Sequence, residues 1–326
     1  MSLPACSPAD LDSRSVPVVE LVNVTKRFGH LCAVDGLSIA IEPGRTLGMV
    51  GESGCGKSTV ARLVVGLERA SSGELRFEGQ PYPRSNRGLR TVRRQIGMVF
   101  QDPYESLDPR CTLRQIVGEP LMAHGQWREG GPERVHELLR SVGLPGASLD
   151  SRPSQYSGGG RQRIGIARAL ALRPRLVVCD EPTSALDVSI QAQIVNLLLQ
   201  LQADLGLSYL FISHDLDVVR RVSDSVVVVY GGAIMEQGPT EAVTNDPLHP
   251  YSKALLSAVA GTGPDDRRLE QRIRLREGRD VESGACPFSG RCPEVHEACS
   301  VRPRLVDAGG GRAVACHLFR QDRREI

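Results

Sequence analysis

A short run of glycine, lysine and serine near the start of the chain has the spacing of a phosphate-binding loop. It consists of Gly51, Glu52, Ser53, Gly54, Cys55, Gly56, Lys57, Ser58 and Thr59. An apolar stretch typical of a buried strand precedes it, and residues 60–67 after it have helical apolar spacing. In this context, backbone N–H groups and a helix N-terminus bind phosphate. We therefore expect Lys57 to reach the β- and γ-phosphates of a nucleotide and Ser58 to hold Mg²⁺ through its hydroxyl.

A second motif is a pair of carboxylates at the end of an apolar strand. Residues 176–179 are apolar, and Asp180 and Glu181 follow them. Because ligands of open parallel sheets bind beyond the carboxyl ends of the strands, we expect this pair beside the phosphate-binding loop. Asp180 is expected to bind Mg²⁺. Glu181 is expected to orient or deprotonate the water that attacks the γ-phosphate.

Buried strands alternate with helices along most of the chain, and this alternation predicts an α/β fold with a mostly parallel sheet. Residues 18–24 alternate between apolar and polar, as expected for a strand at a sheet edge. Residues 113–122 and 133–142 have helical periodicity and belong to a predicted helical insertion at about 102–157. A further helix is predicted over 161–172, with an N–H-rich run of glycines before it.

Composition narrows the function classes. The chain has 326 residues and a net charge of +2, so nothing indicates binding to nucleic acid or to an anionic membrane surface. No apolar run is long enough to span a membrane, and the N-terminus lacks the basic and apolar regions of a secretory signal. We expect a cytosolic protein whose nine cysteines are mostly thiols or metal ligands.

The order of these motifs resembles that of the ATP-binding cassette (ABC) ATPases. The resemblance covers roughly residues 17–258, and it also rests on Gln101, the segments 156–160 and 184–187, and His214. It implies ATP and Mg²⁺ as cofactors. It also implies a P-loop nucleotide-binding domain, in which a RecA-like core with a mostly parallel sheet carries an antiparallel edge sheet and a helical subdomain.

The resemblance assigns roles to three residues beside the loop. Phe28 takes the position of an aromatic residue that stacks on adenine. Gln101 takes that of a residue that touches Mg²⁺ and the attacking water, and His214 that of a hydrogen-bond partner of the γ-phosphate. The alternatives are an ordinary turn aromatic for Phe28 and a helix-capping residue for His214.

The resemblance also implies that a second subunit completes the site. Ser157, Gly158 and Gly159 would contact the γ-phosphate held by the opposite subunit, and Asp187 would cross the dimer interface. The family has glutamine where this chain has Gly160. We expect weaker or asymmetric closure at the site that this motif completes.

Three stretches resemble the branch of dipeptide and oligopeptide importer ATPases, namely residues 100–110, 249–256 and 286–317. That branch also includes importers of nickel and other small solutes. The resemblance implies two integral membrane permease subunits, a second ATPase subunit that is either identical or different, and indirectly a solute-binding protein. The expected location is the cytoplasmic face of the cell membrane. The alternative is a soluble ABC ATPase that acts on nucleic acid or ribosomes, which a single cassette and a near-neutral charge disfavour.

The predicted organisation is a flexible tail over 1–16, an ATPase domain over 17–258 and an extension over 259–326. Within the extension, residues 261–283 are highly charged and are expected to form a linker or a solvated helix. The extension also has four cysteines, which are Cys286, Cys292, Cys299 and Cys316.

The spacing of these cysteines is C-x5-C-x6-C-x16-C, which lacks the close pairs of structural zinc sites. Four thiolates with Cys-Pro steps are compatible with an iron–sulfur cluster, and members of the resembled branch carry a [4Fe–4S] cluster here. Zinc, and free or disulfide-bonded thiols, are the alternatives. A redox module carried by the ATPase is a further alternative, for which the sequence offers no electron-transfer partner.

Overall fold

Two β-sheets and nine α-helices form the fold of the residues that the structure describes. The structure is a computed structural model, and it describes residues 16–259 and 284–319. The predicted tail, apart from Val16, and the charged segment 261–283 lie outside the described residues. Within the described ranges, no helix combines the length and the apolar character needed to cross a bilayer.

The smaller sheet is antiparallel, and its strand order is β2-β1-β4-β5. Its strands are β1 (Val19–Phe28), β2 (Leu31–Ile41), β4 (Ser72–Phe77) and β5 (Gln80–Pro81). Because β1 pairs with both β2 and β4, the prediction that this strand lies at a sheet edge is wrong. The alternation along β1 instead reflects a sheet with one buried face, to which Val19, Leu21 and Val24 belong.

The larger sheet has the order β11-β12-β10-β9-β3-β8-β7-β6 within the described residues. Its strands are β3 (Thr46–Val50), β6 (Ile96–Val99), β7 (Leu176–Asp180), β8 (Ser208–Ile212), β9 (Ser225–Tyr230), β10 (Ala233–Pro239), β11 (Val306–Gly309) and β12 (Arg312–Val314). The five strands from β9 to β6 are parallel, and the others are antiparallel. Every residue of β3, β7 and β8 is buried, as expected for parallel strands covered on both faces.

Helices cover the larger sheet and form the predicted insertion. They are α1 (Lys57–Val64), α2 (Asn86–Arg94), α3 (Leu113–Ala123), α4 (Gly131–Ser141), α5 (Gly158–Ala169), α6 (Val188–Leu205), α7 (Leu216–Val222), α8 (Thr240–Asn245) and α9 (Pro250–Val259). Helices α3, α4 and α5 pack on one another. A capping box between Thr112 and Gln115 fixes the start of α3.

The C-terminal part of the chain packs on the core. Strand β12 pairs with β10, so that Ala313 lies opposite Gln237. Phe288 is fully buried, and its ring centroid lies 5.2 Å from that of Tyr230 and 5.3 Å from that of Tyr251. Residues 284–319 therefore extend the larger sheet and its hydrophobic core.

Candidate functional site

The predicted phosphate-binding loop connects β3 to α1. The strand ends at Val50 and the helix begins at Lys57, so the predicted succession of strand, loop and helix is confirmed. Gly56 has φ of 103°, and a Cβ atom there would lie 2.2 Å from the carbonyl oxygen of Ala33. Since no side chain fits that space, glycine is required where the loop passes β2.

Lys57 lies inside the loop and is 4% exposed. Its Nζ donates to the carbonyl oxygens of Gly51 and Glu52, at 2.7 and 2.9 Å. A buried ammonium needs such partners, and phosphate oxygens could replace the carbonyls. Cys55 is also buried, and burial raises the pKa of its thiol. The interior of the loop therefore contains the ammonium of Lys57 and the neutral thiol of Cys55.

Two predicted Mg²⁺ ligands are already in contact. The hydroxyl of Ser58 donates to Oδ1 of Asp180 at 3.1 Å. Burial raises the pKa of Asp180, and the hydrogen bond from Ser58 opposes that shift. Hydroxyl and carboxylate oxygens are hard ligands of the kind that Mg²⁺ prefers, so this pair fits the predicted ion. Gln101, the third predicted ligand, lines the same cleft as Ser58.

Glu181 has an unusual backbone and two side-chain partners. Its φ is +47°, in the left-handed region that glutamate rarely adopts. Its Oε2 accepts a hydrogen bond from Nε2 of Gln101 at 3.2 Å and lies 3.1 Å from Nδ1 of His214. The surrounding structure thus holds a strained residue whose carboxylate could accept a proton from water.

These residues line a cleft of about 670 Å³, which is a suitable size for a small-molecule ligand. Phe28 lies at its rim, 43% exposed, with Nζ of Lys26 4.7 Å from the ring centroid. An exposed aromatic face at the rim could stack on a base. The predicted site residues that line the cleft are Phe28, Ser53, Gly54, Gly56, Lys57, Ser58, Thr59, Gln101, Glu181 and His214.

The residues predicted to act on an opposite subunit do not line this cleft, although all of them lie in the described part of the chain. Ser157, Gly158 and Gly159 lie at the start of α5. Asp187 is the N-cap of α6, and its Oδ1 accepts the N–H of Ile190 at 3.0 Å. That hydrogen bond lowers the pKa of Asp187. Ser157 and Asp187 are exposed, and their action on a partner subunit stays a prediction.

Helix α5 begins earlier than predicted. The sequence pattern placed its start at Arg161, whereas the helix starts at Gly158. The reason is that Ser157 caps it, with Oγ accepting the N–H of Gly160 at 3.2 Å. The glycines thus form the first helical turn.

Three of the four cysteines of the C-terminal part are buried, and the N–H of Cys286 donates to the carbonyl oxygen of Cys299 at 3.0 Å. Burial, and to a smaller extent electrostatic interaction with the three other cysteines, raises the pKa of Cys292 to about 11. The described residues contain no group of three or more His, Cys, Asp or Glu side chains placed to hold a metal ion. The donors thus match a four-thiolate site in number and type, and their side chains are not arranged as ligands.

Sequence reasoning missed two residues whose side chains contact the phosphate-binding loop. The hydroxyl of Tyr251 accepts the N–H of Glu52 at 2.9 Å, and Nη1 of Arg291 lies 2.7 Å from Oε2 of the same residue. It also missed Ala33 and Gly232, which line the cleft. Tyr251 and Arg291 lie 199 and 239 positions after Glu52, so no local spacing indicated these contacts.

Two known protein families match this chain, one towards its N-terminus and one towards its C-terminus. A family described as ABC transporter matches residues 34–184, and one described as the C-terminal region of oligopeptide/dipeptide transporters matches residues 235–299. The oligopeptide transport ATP-binding protein AppF of Bacillus subtilis (strain 168) is 47% identical, with 90% of this chain and 92% of AppF covered. The dipeptide transport ATP-binding protein DppF of Escherichia coli (strain K12) is 45% identical, with 89% and 88% covered.

Solved structures share the fold. CbiO1 of Clostridium perfringens, described as part of the ABC transporter complex cbiONQ, has a TM-score of 0.65 at 28% identity and covers 71% of this chain and 91% of its own. The ATP-binding cassette MJ0796, solved as a dimer with ADP and Pi, has a TM-score of 0.61 at 30% identity and covers 68% and 98%. The predicted P-loop ABC-type α/β fold is confirmed. With relatives of this identity over nearly their whole length, the chain belongs to the family of ABC transporter ATP-binding proteins.

Proposed function

We propose that the chain is the ATP-hydrolysing subunit of a membrane transporter that imports dipeptides or oligopeptides. The observation that carries the proposal is the match of residues 235–299 to the C-terminal region of oligopeptide/dipeptide transporters, in the same chain as an ABC transporter match. The names of AppF and DppF support it, because both relatives are peptide transport proteins that this chain matches over most of its length.

In the proposed reaction, the phosphate-binding loop holds ATP and Lys57 exchanges its two carbonyl partners for phosphate oxygens. Ser58, Gln101 and Asp180 would hold Mg²⁺, whose charge offsets that of the phosphates. Glu181 accepts a proton from the attacking water as that water's oxygen bonds to the γ-phosphorus. His214 is close enough to Glu181 to hold the γ-phosphate beside it. The bond between the γ-phosphorus and the oxygen that bridges it to the β-phosphate breaks, and ADP and inorganic phosphate leave.

The proposed active unit contains two ATPase chains. Each chain would supply Ser157, Gly158, Gly159 and Asp187 to the ATP bound by its partner. The exposure of Ser157 and Asp187, and their position outside their own chain's cleft, support this arrangement. The second chain is either a copy of this one or a different ATPase subunit. The dimeric structure of MJ0796 is a precedent for such an assembly in a related cassette.

The proposed partners are two integral membrane permease subunits, and indirectly a solute-binding protein that delivers the peptide. The chain would lie at the cytoplasmic face of the membrane. The domain boundaries at 17–258 and 259–326 stay predictions. The pairing of β12 with β10 indicates that the two regions fold together.

Reconstitution of the whole transporter tests the proposal. The chain would be purified with its membrane subunits and placed in vesicles, and uptake of a labelled tripeptide would be compared with uptake of nickel. ATP-dependent peptide uptake that Glu181→Gln abolishes is the expected result. Uptake of nickel alone would contradict peptide import within the same branch. Recovery of the chain with ribosomes or DNA, and without membrane proteins, would contradict transport.

We further propose that Cys286, Cys292, Cys299 and Cys316 hold a [4Fe–4S] cluster. The support is the presence of four thiol donors, three of them buried, and the hydrogen bond of 3.0 Å that joins the backbones of Cys286 and Cys299. Anaerobic purification followed by iron, sulfide and absorbance measurements tests this. A colourless, iron-free protein would contradict it, and bound zinc would favour the alternative.

A further inference from the structure

One residue of the phosphate-binding loop is held from outside by the C-terminal part of the chain. The N–H of Glu52 donates to the hydroxyl of Tyr251, and the carboxylate of Glu52 pairs with Arg291. We infer that Tyr251 and Arg291 are positioning residues that hold the phosphate-binding loop in its ATP-binding shape. The inference rests on ATP binding at this loop and is independent of what the transporter imports.

The start of α9 fixes the position of Tyr251. The carboxylate of Glu236 on β10 is fully buried and accepts the N–H groups of Leu248 and His249 at 2.9 Å. Nδ1 of His249 in turn accepts the N–H of Tyr251 at 2.9 Å. These hydrogen bonds fasten the first turn of α9 to the larger sheet, so the tyrosine hydroxyl is held at a defined distance from the loop.

A separate loop, Cys286–Cys292, fixes the position of Arg291. Phe288 anchors this loop between the rings of Tyr230 and Tyr251, and its carbonyl oxygen accepts the N–H of Arg291 at 3.0 Å. The guanidinium carbon lies 5.9 Å from the ring centroid of Tyr230. The charge of Arg291 is thereby directed at Glu52, and the side chains of Cys286, Phe288 and Cys292 are buried.

These contacts matter most when Lys57 binds phosphate. In this structure, Lys57 stabilises the loop from inside by donating hydrogen bonds to the carbonyl oxygens of Gly51 and Glu52. When its ammonium turns to phosphate, those two hydrogen bonds are lost. The contacts of Glu52 with Tyr251 and Arg291 do not involve the lysine, so they can persist. They would preserve the conformation of the loop while Lys57 exchanges its carbonyl partners for phosphate oxygens.

The expected effect is on nucleotide affinity rather than on hydrolysis. Neither Tyr251 nor Arg291 lines the cleft, and neither is bonded to Glu181. The ion pair is partly exposed, with 30% and 41% of the two side chains accessible, so water screens it. Its loss should weaken binding by about two- to five-fold, the range expected for exposed pairs.

The test compares two arginines of the C-terminal part, each paired with a carboxylate of residues 16–259. Arg291→Gln removes the contact with the phosphate-binding loop. Arg312→Gln is the matched control, because Arg312 pairs with Asp246 away from the cleft. The Kd of a fluorescent ATP analogue is measured on the full chain with Mg²⁺, and KM and kcat are measured on the assembled transporter. Melting temperatures verify folding. We expect Kd and KM to rise only in Arg291→Gln, with kcat unchanged.

A double-mutant cycle with Glu52→Gln tests whether Arg291 acts through Glu52 or whether its replacement disturbs the structure in general. If Arg291 acts through Glu52, Arg291→Gln should not weaken binding further in the Glu52→Gln background. Arg291→Lys should restore most of the affinity, because lysine keeps the charge. Tyr251→Phe should raise Kd without changing kcat. The inference is overturned if Arg291→Gln and Arg312→Gln have equal Kd values, or if Arg291→Gln weakens binding equally in both backgrounds.

Discussion

Nδ1 of His214 lies 3.1 Å from Oε2 of Glu181, and Nε2 of Gln101 lies 3.2 Å from the same oxygen. The three residues follow three neighbouring parallel strands, β8, β7 and β6. The carboxyl ends of these strands meet at one edge of the sheet, which is where such folds bind ligands. The proposed chemistry thus depends on residues that are far apart in the sequence and that the sheet brings together at the ends of adjacent strands.

Replacing Glu181 by glutamine should stop turnover and preserve ATP binding. Glutamine keeps the shape of the side chain and cannot accept the proton of the attacking water. We expect kcat to fall by about 10²- to 10⁴-fold, the range for losing a general base. Single-turnover hydrolysis and equilibrium binding of ATP measure the two effects. Asp204→Asn, an exposed change on α6, is the control, and normal hydrolysis by Glu181→Gln would contradict the assigned role.

Replacing Lys57 by alanine should weaken ATP binding itself. The change removes the buried ammonium, and charge-assisted hydrogen bonds contribute about 1.5–3 kcal/mol. That range corresponds to a rise in Kd of about 10- to 100-fold. Isothermal titration with ATP and Mg²⁺ measures it. Lys253→Ala removes an exposed lysine on α9 and should leave Kd unchanged. Equal Kd values for the two variants would show that Lys57 does not contact the nucleotide.

Replacing Gly160 by glutamine should strengthen closure of the dimer. Ser157 caps α5, and glutamine at 160 would complete a capping box by returning a hydrogen bond to the N-cap backbone. A Cβ atom at 160 would lie 3.0 Å from Cβ of Tyr156, so a small adjustment is needed. We expect a higher ATPase rate in the assembled transporter.

Gly160→Ala separates two effects of that change. Alanine favours a helix over glycine by up to about 1 kcal/mol, and it brings no amide group. A higher rate in both variants would indicate that helix stability is the cause. A rate that rises only with glutamine would indicate a role for the amide. No change in either variant would refute the expectation drawn from Gly160.

Acid should destabilise the fold through His249. Burial lowers the pKa of His249 to about 4, whereas an exposed histidine titrates near 6.5. Between these values the unfolded chain binds more protons than the folded chain. The contribution of His249 to the free energy of unfolding is therefore fully present above pH 6.5 and is lost as the pH falls towards 4. The expected loss between pH 7.5 and pH 5 is about 2 kcal/mol. Urea unfolding at both pH values measures it.

The control for this prediction is a second histidine. His249→Gln should reduce the pH dependence, because glutamine does not titrate and can still accept the N–H of Tyr251. His136→Gln, at an exposed position on α4, should leave the pH dependence as it is. The same pH dependence in wild type and His249→Gln would assign the acid sensitivity to other groups.

The parts of the site that could be predicted from the sequence are those formed by residues close together in the chain. The phosphate-binding loop and the strand that ends at Asp180 were predicted from neighbouring residues, and both lie where expected. The start of α5 was missed because a run of glycines favours a loop until the cap at Ser157 is taken into account. The contacts of Glu52 were missed because they join distant parts of the chain, and only the fold brings these together.

The pairing of β12 with β10 has a consequence for solubility. Strand β10 is antiparallel to β9 on one side, and β12 covers its other side. Without the C-terminal strands, part of β10 would present unpaired backbone N–H and C=O groups to other chains. A chain cut after residue 259 would therefore carry an uncovered sheet edge and tend to self-associate by strand addition.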